Sequence, residues 1–243
     1  MTPEKKRVVV SFAVLILFIS FSFIFFFSVK HGEKTAGAPT LIRKSFLWNE
    51  HVWKILSTNK RKSVDLPPPP EGRPPRVNGM LGLKSQLDLK NFKVKVQSGE
   101  KVLLLPVDAF KVVPKADYST LFKCIEGWSE DFQYAGARFS DFMDFYQIGK
   151  KPDGSYYSYV GLETPDRKYY VSIDMESMLH DQTVLAYEMN DRPLRPENGA
   201  PLRLMIPIKY GIKSLKRIGY IFFSDERPKD YWAERGYDWY SGL

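Results

Sequence analysis

Val8–Ser28, reading VVVSFAVLILFISFSFIFFFS, contains no charged residue. Such a run of about 21 apolar residues is long enough for a helix to cross a hydrocarbon core of roughly 30 Å. Inside lipid every backbone donor and acceptor must be satisfied within the segment, so a helix is the conformation open to it. A cleaved signal peptide has a shorter apolar region and a small-residue exit. FFFSVKHG is a poor exit, while TAGAPT downstream keeps cleavage open, and the expectation is a retained anchor over residues 1–29. Lys5, Lys6 and Arg7 precede the run and Lys30, His31 and Lys34 follow it, so the positive-inside comparison is nearly balanced.

Residues 30–81 form a second region. Leu41, Phe46, Leu47, Val52, Trp53 and Leu56 fall at helical spacings, predicting a short amphipathic helix with a basic tail. It reads either as a helix packed on the main domain or as one lying on a membrane surface. Six prolines between Pro67 and Pro75 then impose an extended connector, because proline fixes φ and supplies no backbone donor.

The main domain is expected over residues 82–243 as a strand-rich α+β unit. Leu87, Leu89, Phe92, Val94 and Val96 alternate with polar residues, the pattern of a half-buried strand. KVLLLPV, YYSYVGLE, KYYVSI, TVLAYEM, LRLMIPI and KRIGYIFF read as six more. RFSDFMDFY and DMESMLHD are short helices with Ser140 and Asp174 as N-caps, and His180 falls at the end of the second.

The net charge of +8 admits nucleic acid, but Lys and Arg are dispersed, so an anionic cofactor, an acidic substrate or a membrane surface explains it as well. One cysteine excludes an intramolecular disulfide and any multi-cysteine zinc or iron–sulfur site. The scattered histidines, His31, His51 and His180, argue against a triad or a histidine-built metal site. Hydrolase, nucleotide-phosphate and dinucleotide fingerprints are absent. Two stretches remain. In FKCIEGWS the lone thiol, Cys124, meets a turn-like EGWS, with Lys123 beside it to favour the thiolate. In ENGAPLRLMIPIKYGIKSLKRIGYI an Asn-Gly turn, an arginine set between leucines and a run of lysines suit a phosphate-bearing ligand or a basic surface loop.

At these two stretches the chain resembles the molybdopterin-binding domain of the sulfite oxidase superfamily, from about Leu87 to the C-terminus. CIEGWS is similar to the segment of the periplasmic protein-methionine-sulfoxide reductase catalytic subunits rather than to that of sulfite oxidases. The resemblance implies a sulfite-oxidase-type α+β fold of mixed sheets and short helices. It implies a single molybdopterin carrying molybdenum, tungsten not being excluded, with Cys124 as the protein ligand to the metal. Thr164, Asn198, Arg203, Ser214, Leu215 and Lys216 match cofactor-contacting positions, and Tyr169 falls at an active-site tyrosine, with Tyr170 leaving the register open. Trp128, Tyr134 and Tyr169 are expected to line the substrate funnel. The arginine with which sulfite oxidases hold sulfite falls at Ser129, so sulfite is a poor substrate expectation. An upstream asparagine–tyrosine–glutamate cofactor segment has no evident counterpart.

The implied activity is two-electron oxygen-atom transfer, with reduction of an S-oxide or N-oxide. Without a haem or iron–sulfur motif the electrons come from a separate haem or quinone-linked membrane partner. The domain is expected on the periplasmic side of the bacterial inner membrane, although Lys6-Arg7 stands where export of folded relatives uses two arginines. The competing expectations are a membrane-tethered binding module that keeps the fold without catalysis and a thiol enzyme using Cys124, which lacks a histidine base.

Overall fold

The structure is a computed structural model, describing residues 2–56, 62–70, 74–89 and 91–243. The uncharged run lies inside α1 (Pro3–His31), which starts on Thr2, whose side chain accepts from the Lys5 N–H, and buries none of its residues. It is long and apolar enough to cross a membrane. A two-residue-per-strand hairpin, β1 (Lys34–Thr35) and β2 (Ala38–Pro39), leads into α2 (Thr40–Leu56). The proline connector lies along the main domain. Asp65 bridges to Thr120, the Leu66 N–H donates to Ser119 O at 2.9 Å, and Pro68–Pro70 with Pro74 and Pro75 wall a groove shared with Asn190–Arg195.

The main domain has two five-stranded sheets. One takes β3 (Lys93–Ser98), β4 (Lys101–Pro106), β7 (Tyr159–Glu163), β8 (Tyr170–Asp174) and β12 (Tyr220–Ser224), in the order β4-β3-β12-β7-β8, with β3 and β12 parallel and the other pairs antiparallel. The other takes β5 (Lys115–Lys123), β6 (Ser129–Arg138), β9 (Val184–Met189), β10 (Arg192–Pro193) and β11 (Arg203–Met205). Alternate residues of both sheets, among them Val94, Val96, Val160, Leu162, Ile221, Leu185 and Leu204, meet in one core. The short helices α3 (Asp108–Lys111), α4 (Phe139–Tyr146) and α5 (Met175–Met178) add Phe110, Phe139, Phe142 and Met178 to it. Burial of each such side chain contributes about 1.5–3 kcal/mol, which supplies the stability that a chain without disulfides needs.

Two local expectations are corrected. The first strand starts at Lys93, because Asn91 bonds back to the Asp88 carboxylate at 2.6 Å and closes a turn that leaves Leu89 exposed. Arg138, not Ser140, holds the N-cap position of α4, and no side chain caps it; Ser140 lies within the first turn beside Asp141. Asp174 does cap α5, accepting the Ser177 N–H at 2.9 Å, and the His180 N–H bonds to Ser177 O just past that helix. The periodicity reading passes over β6, the longest strand, whose second half runs Tyr-Ala-Gly-Ala. Its pairing with β9 shifts register between Ala135 and Gly136, and a Cβ on Gly136 would lie 2.1 Å from Leu185 O.

Candidate active site

Cys124 sits at the tip of the β5–β6 hairpin. Its N–H donates to Trp128 O at 2.9 Å and its carbonyl accepts the Gly127 N–H at 3.0 Å, closing a turn that needs Gly127 at φ +90°. The thiol is buried to 9% exposure and faces a cavity lined also by Phe122, Trp128, Tyr169, Arg203 and Lys216. Ser214 completes that wall, and the pocket rim carries Glu126, Trp232 and Tyr237. The next residue back, Lys123, points into a different groove with Asp131 and Tyr240, because neighbouring strand residues face opposite sides. Lys123 is therefore not the cation facing the thiol; Arg76, Arg203 and Lys216 are the cations lining its cavity.

Arg203 starts β11 between Leu202 and Leu204, both fully buried. Its guanidinium donates to Asn198 O at 2.9 Å and Ser214 O at 3.3 Å. Its Nε–H has no partner among the described residues, and burial pushes its pKa down to about 10. Nor does any carboxylate among those residues pair with it. A buried cation held only by neutral carbonyls is an unfinished interaction, which an anion from outside the protein can complete. Lys216 Nζ donates to the carbonyls of Asn78 (2.7 Å), Gly79 (3.2 Å) and Glu197 (3.0 Å), and burial, then the charge of Arg203, bring its pKa down to about 8.

The other lysines of this stretch are structural. Lys209 pairs with Asp174 at 3.3 Å, and Lys213 pairs with Asp230 at 2.5 Å while also reaching Ser172 O, all within the core. Desolvation lowers the pKa of both lysines, to about 8 for Lys209. The expectation of a lysine-rich ligand loop is thus reduced to Arg203 and Lys216.

The remaining sequence candidates separate into two groups. Tyr169 lines the cavity, its hydroxyl donating to Ile212 O, and burial raises its pKa so that the phenol stays protonated. Tyr170 faces away to Glu234. Thr164, Asn198 and Leu215 do not line the cavity. Thr164 Oγ1 accepts the Tyr169 N–H at 3.2 Å and donates to Asp166 at 2.7 Å, shaping the turn that presents Tyr169. Asn198 supplies the carbonyl under Arg203, and Leu215 is core. Tyr134 is not in the funnel. It lies further from the hairpin tip than Phe132, fully buried, with its hydroxyl donating to Gln182 O. Ser129, where sulfite oxidases carry an arginine, is exposed and outside the cavity.

Residues that the sequence reading missed come from the two ends of the domain. The connector delivers Arg76, whose guanidinium stacks 4.5 Å from the Trp128 ring, and Asn78, whose Nδ2 donates to Glu126 Oε2 at 2.9 Å and lies 3.9 Å from the Cys124 sulfur. The C-terminal segment delivers Trp232 and Tyr237. Only the aromatic density of DYWAERGYDWY marks the second group in sequence, and nothing local marks the first.

A thiol on a rigid turn, facing a buried guanidinium that lacks a carboxylate, defines a site for an anionic cofactor bearing a thiophilic centre. Among the described residues no cluster of three His, Cys, Asp or Glu side chains exists to hold a bare ion, so a metal here needs further ligands from its cofactor. The donor set fits a metal carried on a phosphorylated organic cofactor. A family model described as the oxidoreductase molybdopterin binding domain matches residues 81–232, and the chain belongs to that family. It is 35% identical over 136 residues to a putative protein-methionine-sulfoxide reductase subunit, YedZ1, of Azospira oryzae, covering 56% of this chain and 50% of the relative. It is 29% identical over 207 residues to the protein-methionine-sulfoxide reductase catalytic subunit MsrP of Campylobacter jejuni, covering 77% of this chain and 63% of that protein. The chain thus spans half to just under two-thirds of the length of these relatives. The crystal structure of the sulfane dehydrogenase SoxCD from Paracoccus pantotrophus shares the fold, with a TM-score of 0.52 at 20% identity, over 59% of this chain and 40% of that one.

Proposed function

We propose that the protein is a molybdopterin-dependent oxidoreductase that reduces an S-oxide or N-oxide by two-electron oxygen-atom transfer. For a sulfoxide, two protons and two electrons break the sulfur–oxygen bond and leave the thioether and one water. The observation that carries the reading is the shared cavity of Cys124 and the carboxylate-free, incompletely bonded Arg203. The names of the relatives add the S-oxide class.

In this reading Cys124 ligates the metal, and Arg203 and Lys216 hold the cofactor phosphate with the backbone at Ser214. Asn198, Thr164 and Leu215 support that wall from behind. When bound, the cofactor supplies the oxygen-atom and electron-pair chemistry. The protein's share is orientation and proton management. Tyr169, kept protonated by burial and held by its hydroxyl on Ile212 O, orients the wall of the cavity and does not act as a base. Trp128, Phe122, Trp232 and Tyr237 form an apolar mouth suited to a thioether side chain.

A separate haem or quinone-linked membrane protein supplies the electrons, and α1 tethers the domain to the periplasmic face of the inner membrane, close to that donor. The test uses the full chain from a molybdopterin-competent host, assayed for molybdenum, tungsten and pterin, and for sulfoxide reduction by a reduced dye. Near-stoichiometric metal and pterin, with turnover abolished in Cys124→Ala, is the expected result. A folded chain with neither metal nor pterin overturns the reading and leaves the binding module in its place.

A further inference from the structure

Helix α2 has two unlike faces. On one, Arg43 donates to the carbonyls of Ala36 (2.6 Å), Ala233 (2.7 Å) and Tyr237 (2.9 Å), and Glu50 pairs with Arg227 at 2.8 Å. That face is fastened to the C-terminal segment. On the other, Leu41, Trp48 and Ile55 recur every seven residues and so share a stripe. Trp48 is 69% exposed, Ile55 65% and Leu41 45%. A tryptophan and an isoleucine this open on a helix that already has a packed face need a cover.

The cover is indicated by where α2 begins. The Thr40 N–H donates to Glu33 O at 2.8 Å, and Thr40 Oγ1 donates to the same carbonyl at 2.9 Å. Glu33 is two residues past the end of α1. The first turn of α2 is therefore held at the level where α1 leaves the hydrocarbon, and the pairing of Lys34 with Pro39 leaves no slack between them. A helix starting at headgroup depth, with Trp, Leu and Ile outward and Lys44 and His51 between them, has the composition of an interfacial membrane helix.

We propose that α2 lies in the lipid–water interface, with Leu41, Trp48 and Ile55 against the acyl chains. This rests on the reading of α1 as a membrane span. Its consequence is positional: Trp232 and Tyr237 line the candidate active-site cavity, and Arg43 bonds to the carbonyls of Ala233 and Tyr237. The cavity rim is thereby fixed beside the bilayer surface rather than swinging on a tether.

The experiment uses the full chain in nanodiscs of phosphatidylcholine and phosphatidylglycerol, with and without bromine on the acyl chains, comparing the parent with Trp48→Phe. The difference emission between the two belongs to Trp48. Loss of most of that emission in brominated discs, with protection from aqueous acrylamide, is the expected result. Difference emission that bromine leaves untouched and acrylamide quenches overturns the proposal. Alkaline carbonate extraction of native membranes tests α1 separately: a chain that stays in the pellet while Trp48 is in water sinks the α2 proposal alone, and a chain that washes off sinks both.

Discussion

Arg203 and Lys213 are both buried cations, and they are expected to respond oppositely to the same substitution. Lys213 neutralises Asp230 inside the core, so Lys213→Met strands a buried carboxylate. That change should cost about 3–5 kcal/mol of stability, visible as a lower midpoint in denaturant. Arg203 neutralises no acid, so Arg203→Met should leave the cofactor-free protein within about 1.5 kcal/mol of the parent, since only two hydrogen bonds to carbonyls are lost and a burial penalty is relieved. The same variant should lose pterin on purification. Equal destabilisation by the two changes would show that Arg203 is a structural residue. In sequence the two cations look alike, each following a branched apolar residue, Leu202 or Ile212. What separates them is Asp230, which arrives 17 residues later in the chain, and distance along the chain carries no information about which acid reaches which base.

At the scale of elements, the hairpin β5–β6 is what aims the thiol. Gly136 lets β6 bend against β9 where their register shifts, and no side chain fits there, since even a Cβ meets Leu185 O. Gly136→Ala should therefore destabilise the domain by about 1–3 kcal/mol through overpacking, read as a fall in Tm of the cofactor-free chain. A neutral outcome would mean that the bulge is not needed to hold the two strands together. Strands facing the common core were legible because Val94/Val96, Val160/Leu162 and Ile221/Phe223 alternate cleanly. β6 was not, because its residues from Phe132 to Ala137 are buried on both faces, so no alternation of apolar and polar residues prints on the sequence. The cap of α5 was readable because Asp174 makes it with its own side chain, whereas α4 has no side-chain cap to read.

At the scale of the molecule, α1 stands apart from the core and buries none of its residues, so it is expected to add little to the stability of the domain. Deleting residues 2–31 should leave the unfolding free energy of the remainder within about 0.5 kcal/mol, the range of changes outside packed features. The truncated chain should leave the membrane pellet and bind vesicles only reversibly. A large loss of stability would show that α1 packs on the domain. The sequence by itself determined the membrane-length helix, the extended connector, most strands and the single thiol that can ligate a metal, because each is a property of local composition or spacing. Only the tertiary structure decided which groups join that thiol. It brought Asn78 from the connector and Trp232 and Tyr237 from the C-terminus to Cys124, and turned Lys209 and Lys213 away into the core. A cavity is closed by contacts between distant segments, and those are set by how the two sheets pack, which no short stretch encodes.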